Sequence, residues 1–139
     1  MPENKHEEEL AHQSGADIPD PVGAADAQEY VRRLNVLRVW VGRPSIRRLS
    51  RLGGHTTSST GAVVVAIPPS TISRILRGRT LPALPRMRFV DHFVSACLRE
   101  AEIPPDVAED QLQVWRDAWR KLALRDEVNS SAGSLPSDK

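Results

Sequence analysis

The 139-residue sequence predicts an all-α domain of five helices, with an extended insert between the second and third. Three observations carry this expectation. Apolar residues recur at three- and four-residue spacing in five separate stretches. Those stretches are bounded by helix punctuation: Asp26 and Ser45 at starts, Gly42, Gly53-Gly54 and Gly78 at ends, and proline pairs between. Aromatic residues make up only 4% and apolar residues 40%, which suits a small helical core with little to spare.

The elements follow in order. Asp26, with Glu29 three residues later, forms a capping-box arrangement, and Ala27, Tyr30, Val31, Leu34, Leu37 and Val41 mark one face of a first helix that stops at Gly42. Arg32, Arg33 and Arg38 fall largely off that face. Ser45 caps a short second helix, 46–52, whose inner face is Ile46, Leu49 and Leu52, with Arg47, Arg48 and Arg51 on the other side. The polar stretch His55–Gly61 has no core potential, and Ala62–Ile67 is apolar and β-branched, suited to a short strand or to a segment laid on the core. Pro68-Pro69-Ser70 opens a third helix, 69–77, with Ile72, Ile75 and Leu76 inward and Gly78 closing it. Leu81-Pro82 and Pro85 read as a rigid connector. A fourth helix, about 85–100, carries Met87, Val90, Phe93, Val94, Cys97 and Leu98 as its buried stripe. A fifth, about 106–125, carries Leu112, Trp115, Trp119 and Leu122. The folded domain is thus expected over 25–126, between an acidic disordered tail, 1–24, and a Ser-, Asn- and Gly-rich tail or linker, 127–139.

Composition excludes several classes. No apolar run is long enough for a membrane-spanning helix, and the acidic N-terminus is unlike a secretory signal. The single cysteine, Cys97, forbids an internal disulfide and a cysteine zinc site, and its place on an apolar stripe reads as a buried thiol rather than a nucleophile. His55 and His92 have no second ligand at metal spacing, so no metal and no cofactor is expected. The serines lie in caps, loops and tails, and no glycine-rich phosphate loop is present, so the chain is not expected to be an enzyme. A cytoplasmic, nucleoid-associated location is the natural expectation.

Charge is informative only by position. The formal net charge is +1, from 19 basic and 18 acidic residues. Residues 1–24 hold Glu3, Glu7, Glu8, Glu9, Asp17 and Asp20 against Lys5 alone, whereas residues 30–90 hold twelve arginines and no acid. A solvated surface normally mixes both signs, so a one-sign block of this length points to a polyanionic partner.

The same block carries a motif. Ser45-Ile-Arg-Arg-Leu-Ser-Arg-Leu52 and, more specifically, Ser70-Thr-Ile-Ser-Arg-Ile-Leu-Arg-Gly-Arg79 followed by Pro82 resemble the paired helices of the xenobiotic-response-element, phage-repressor-like helix-turn-helix family, in its Arg-rich actinobacterial form. The resemblance spans roughly 26–100. It implies a repressor-like domain that binds double-stranded DNA in a sequence-specific way as a transcription regulator, with the third helix in the major groove and the second crossing the backbone. Pro69, Ser70, Thr71 and Arg74 would then read bases, Arg74 by a bidentate contact to guanine. Ser45, Arg47, Arg48, Ser73, Arg77 and Arg79 would meet phosphates. A homodimer on a palindrome is common among such folds.

Two departures from the family pattern matter. Residues between Gly53 and Pro68 replace the usual tight turn, and they are expected to lengthen the second helix, form a wing, or contact a partner. Leu76 stands where the family often has a glutamate that pairs with an arginine of the first helix, so that junction is expected to be apolar. The competing reading is a helical protein-interaction module, built on the insert and the tryptophan-bearing fifth helix. Trp115 and Trp119 suit the core better than a dimer surface. The terminal stretch from Asn129 to Lys139 also fits a linker to a fused domain beyond it.

Overall fold

The computed structural model describes residues 18–78 and 84–137, with side chains as far as Val128. The acidic run Glu7–Glu9, the Leu81-Pro82 connector and Arg79 lie outside the described residues. The element order is α1 (Ala27–Trp40), α2 (Ile46–Leu52), β1 (His55–Thr57), β2 (Val63–Val65), α3 (Pro69–Arg77), α4 (Met87–Glu100) and α5 (Pro105–Ser137). Five helices form as expected, but the domain is not strictly all-α: the insert is an antiparallel β-hairpin, with His55, Thr56 and Thr57 paired to Val65, Val64 and Val63.

Local chemistry accounts for the helix boundaries. Asp26 Oδ1 accepts the Glu29 amide at 2.8 Å, and Ser45 Oγ accepts the Arg48 amide at 3.1 Å. The Glu29 carboxylate does not complete the capping box; it turns along the helix to Arg32 and Arg33. Pro69 begins α3, where a missing N–H costs nothing, and Gly78 ends it with φ +61, a left-handed conformation that glycine adopts freely.

The helix α4 is the centre of the domain and packs against α1, α2 and α5, while α2 and α3 pack on one another. Its Val90, Phe93, Val94 and Cys97 are fully enclosed, together with Tyr30, Leu34 and Leu37 of α1, Leu49 of α2, Ile72 of α3 and Trp115 of α5. The Tyr30 and Trp115 rings meet edge to face at 5.5 Å, and the Tyr30 hydroxyl donates to the Trp115 carbonyl at 2.8 Å. Trp115 is therefore core, and Trp119 is held at the boundary by its Nε1–H donating to the Pro85 carbonyl at 2.6 Å. Trp40 also packs against the core edge.

Two boundaries differ from expectation. Residues 18–24 are not part of a free tail. Ile18 joins the core, Pro21 is buried, and Arg33 donates to the carbonyls of Asp20 and Val22 at 3.0 and 3.1 Å. An apolar anchor on either side of a helix-breaking proline docks the segment as extended chain. The second difference is α5, which runs to Ser137 instead of ending near 125. Among its residues with described side chains Leu122 is the last buried one, and Leu124 and Val128 beyond it are exposed. Among the described residues no helix is long and apolar enough to cross a membrane.

Candidate nucleic-acid interface

On α3, side chains separate by face. Ile72 is buried and Ile75 and Leu76 are half-buried against the core; Pro69, Ser70, Arg74 and Arg77 are exposed; Thr71 and Ser73 lie at the flanks, half-buried. At 100° per residue, Ser70, Arg74 and Arg77 form one outward stripe. The inner face meets α1, where Asn35 Nδ2 donates to the Leu76 carbonyl at 3.0 Å. Leu76 itself packs against the core, while the Asn35 amide adds one polar side-chain tie at the α1–α3 junction.

On α2, Arg47 and Arg51 stand one turn apart and exposed, opposite the buried Leu49. Arg48 takes a different place: its guanidinium is paired with Glu100 at the end of α4. The Ser45 oxygen accepts the Arg48 amide as the helix cap.

The hairpin leaves the turn between α2 and α3 closed at its base. The Ala66 amide donates to the Gly54 carbonyl at 3.0 Å. Ile67 packs so near Gly53 that a Cβ there would stand 2.6 Å from Ile67 Cγ1 and Cδ1. His92 Nδ1 lies 3.0 Å from the Gly53 carbonyl, and Arg99 donates to the Leu52 carbonyl at 2.6 Å. The insert therefore neither lengthens α2 nor separates the helices. It projects from a pinned neck.

Tertiary contacts divide the arginine block. Glu29 pairs with Arg32 at 2.9 Å and with Arg33 at 3.0 Å, and these guanidinium contacts, Arg32's first, hold its carboxyl below the usual range. Arg38 donates to the Pro44 carbonyl at 2.9 Å. Arg43, Arg47, Arg51, Arg74, Arg77, Arg86 and Arg88 are exposed, and none has a carboxylate within 4.0 Å among the described residues. Thr71, Arg74 and Arg77 share a groove of about 1100 Å³ with Arg32 of α1 and with Arg86 and Arg88 at the start of α4. Asp26 and Glu29 also line it.

The structure thus brings Thr71, Arg74 and Arg77 together and adds Arg86 and Arg88, which the motif alone did not single out. Their signal in the sequence was only their membership in the acid-free block. Chemically the groove offers guanidinium forks suited to phosphate or to the guanine edge. Comparison with protein-family models, with curated proteins and with solved structures finds no match.

Proposed function

We propose that this domain binds double-stranded DNA in a sequence-specific manner, with α3 in the major groove and α2 across the backbone. The observation that carries the reading is the two-sided character of α3: Ile72 anchors one face, while Ser70, Arg74 and Arg77 face solvent on the other with no carboxylate partner among the described residues. A helix that reads bases needs that apolar back and that polar, cationic front. Two further observations support it. The pinned neck holds α2 and α3 together despite the insert, and Arg86 and Arg88 extend positive charge beside α3. In this arrangement Arg74 reads bases, and Arg77, Arg86 and Arg88 meet phosphates.

Selection of bound duplexes from a random pool, with Arg74→Ala alongside, tests the reading. The wild-type chain enriches a defined site, and Arg74→Ala loses about 1–3 kcal/mol of discrimination between that site and random DNA. With about five phosphates neutralised, log affinity falls against log salt with a slope of about −4.5. Equal loss on selected and random DNA reassigns Arg74 to the backbone. No binding to any duplex at low salt overturns the proposal. That last outcome favours a protein-interaction module, to which the exposed Leu124 and Val128 on the far end of α5 would contribute.

A further inference from the structure

The helix α3 is short and lightly held. It spans nine residues, Pro69–Arg77, and Ile72 is its one fully buried side chain. Ile75 and Leu76 are half-buried against the core. Apolar contacts have no direction, so they fix where α3 lies better than how it is turned about its own axis. The neck ties its leading end through the chain, and Pro68 supplies no side-chain cap there. Rotation needs a directional contact.

Among the described residues, one side chain of another helix bonds to α3. Asn35 Nδ2 donates to the Leu76 carbonyl at 3.0 Å. The same NH2 group donates to the Val31 carbonyl, one turn back on α1, at 3.3 Å. Both amide hydrogens are thus used, one holding the amide against α1 and the other reaching across to α3. The acceptor lies in the last turn of α3, where carbonyls have no partner within the helix. The Gly78 amide takes the Ile75 carbonyl at 3.1 Å, and Asn35 takes the next one. Asparagine is a poor helix former, and position 35 is in the middle of Ala27–Trp40. Leucine or alanine there would make a better α1, so the amide serves the contact between helices and not the helix that carries it.

We propose that Asn35 is a positioning residue for sequence readout: it fixes the roll of α3 and so decides whether Arg74 meets a base edge. It rests on the reading of α3 as the base-contacting helix. Leu76 and Arg74 stand about 200° apart around α3, on opposite sides of its axis. Side chains lie about 5–6 Å from a helix axis, so a roll of about 15° carries Arg74 sideways by about 1.5 Å. A bidentate contact to a base edge holds only within about 0.5 Å. Arg77, Arg86 and Arg88 absorb such a shift, because a long side chain can follow a phosphate oxygen from several directions. Asn35 therefore acts on specificity and leaves the general attraction to DNA alone.

Asn35→Leu tests this. Leucine removes both donors at similar volume and favours α1, so the unfolding midpoint should change little. The full chain is titrated with the duplex that wild type selects and with random duplex, at several salt concentrations. Asn35→Leu should lose about tenfold in discrimination, with random-DNA affinity within about twofold of wild type and the same salt slope. Asn35→Gln keeps the NH2 group on a longer arm and should recover part of the loss. Added to Arg74→Ala, Asn35→Leu should lower discrimination no further, because the roll matters only through Arg74. In the free protein, amides in the last turn of α3 should exchange with solvent about tenfold faster in Asn35→Leu, and those of α1 at the wild-type rate. Undiminished discrimination by Asn35→Leu, equal losses on selected and random DNA, or fully multiplicative losses in the double variant overturn the inference while wild-type selectivity stands. Unchanged amide exchange in α3 overturns it with no DNA present. A wild-type chain that selects no site overturns instead the reading of α3 as a base-contacting helix.

Discussion

Gly53→Ala probes the neck that keeps α2 and α3 together. Gly53 has φ −71 and ψ −15, a right-handed conformation open to any L-residue, so no backbone penalty arises. On that ground alone alanine would stabilise by about 0.4–1 kcal/mol through the unfolded state. Space decides otherwise. The added Cβ would stand 2.6 Å from Ile67 Cγ1 and Cδ1 and 3.3 Å from the Leu49 carbonyl oxygen. Ile67 is 1% exposed, and the backbone at 52–53 is tied to Arg99 and His92, so neither side yields easily. Overpacking of this kind costs about 1–3 kcal/mol. The net expectation is a loss of about 1–2 kcal/mol and a fall in Tm of about 5–10 °C. Urea unfolding followed by far-UV circular dichroism measures it. Ile67→Val removes only Cδ1 and alone costs about 0.5–1.5 kcal/mol. Combined with Gly53→Ala it should cost less than the sum, by about 0.5–1 kcal/mol. Stabilisation by Gly53→Ala, or strict additivity in the double variant, would refute the close packing of the neck.

Four other expectations rest on contacts and charges elsewhere in the chain. Burial, and secondarily the Asp91 charge, push the Tyr30 hydroxyl well above its ordinary value, so the neutral form is favoured in the fold. Stability is then fully present below about pH 10 and falls as pH rises toward the folded value. Denaturation midpoints across about pH 8 to 11 should decline for wild type and stay flatter for Tyr30→Phe, which loses about 1 kcal/mol at neutral pH with the bond to Trp115. Tyrosinate absorbance from folded protein at about pH 10 would contradict this. Glu100→Gln releases Arg48, and DNA titrations at several salt concentrations should show tighter binding and a slope steeper by about 0.9; no change would mean that Arg48 lies away from DNA. Deleting residues 1–17 removes five acids and one base, and should tighten DNA binding at low salt. Unchanged affinity would show that the acidic tail does not compete with DNA. Deleting 1–24 should also cost about 2–3 kcal/mol of stability, because Ile18 and Pro21 leave the core.

Where the chain carries local punctuation, sequence and structure agree closely. Ser45 and Gly53 bracket α2, and Pro69 and Gly78 bracket α3, because caps and prolines act within a turn of the helix they bound. Non-local facts were less accessible. Ile18 is one apolar residue among polar ones, and no periodicity announces that it docks. The stretch Ala62–Ile67 suited either a strand or a core segment. Its ends decide: Ile67 goes inward beside Gly53, while the three valines extend on the hairpin. Ser, Asn and Gly after Glu127 read as a stop, yet α5 continues through them to Ser137. The pairing of Arg48 with Glu100 joins residues 52 positions apart, and no local pattern encodes it. The acid-free block is a property of the chain, and folding brings Glu29 and Glu100 back to some of its arginines while leaving others open.

The neck also separates two kinds of freedom. Gly53, Gly54, Ala66 and Ile67 set how α2 meets α3, whereas Ser58–Ala62 only closes the far end of the hairpin. Residues added at that tip lengthen a surface loop whose closure entropy grows by about 0.6 kcal/mol for each doubling. They leave the helical geometry untouched. The tip is therefore a natural place for a fluorophore, an epitope or a tethered domain, and a position where length can change between generations without disturbing what the helices hold.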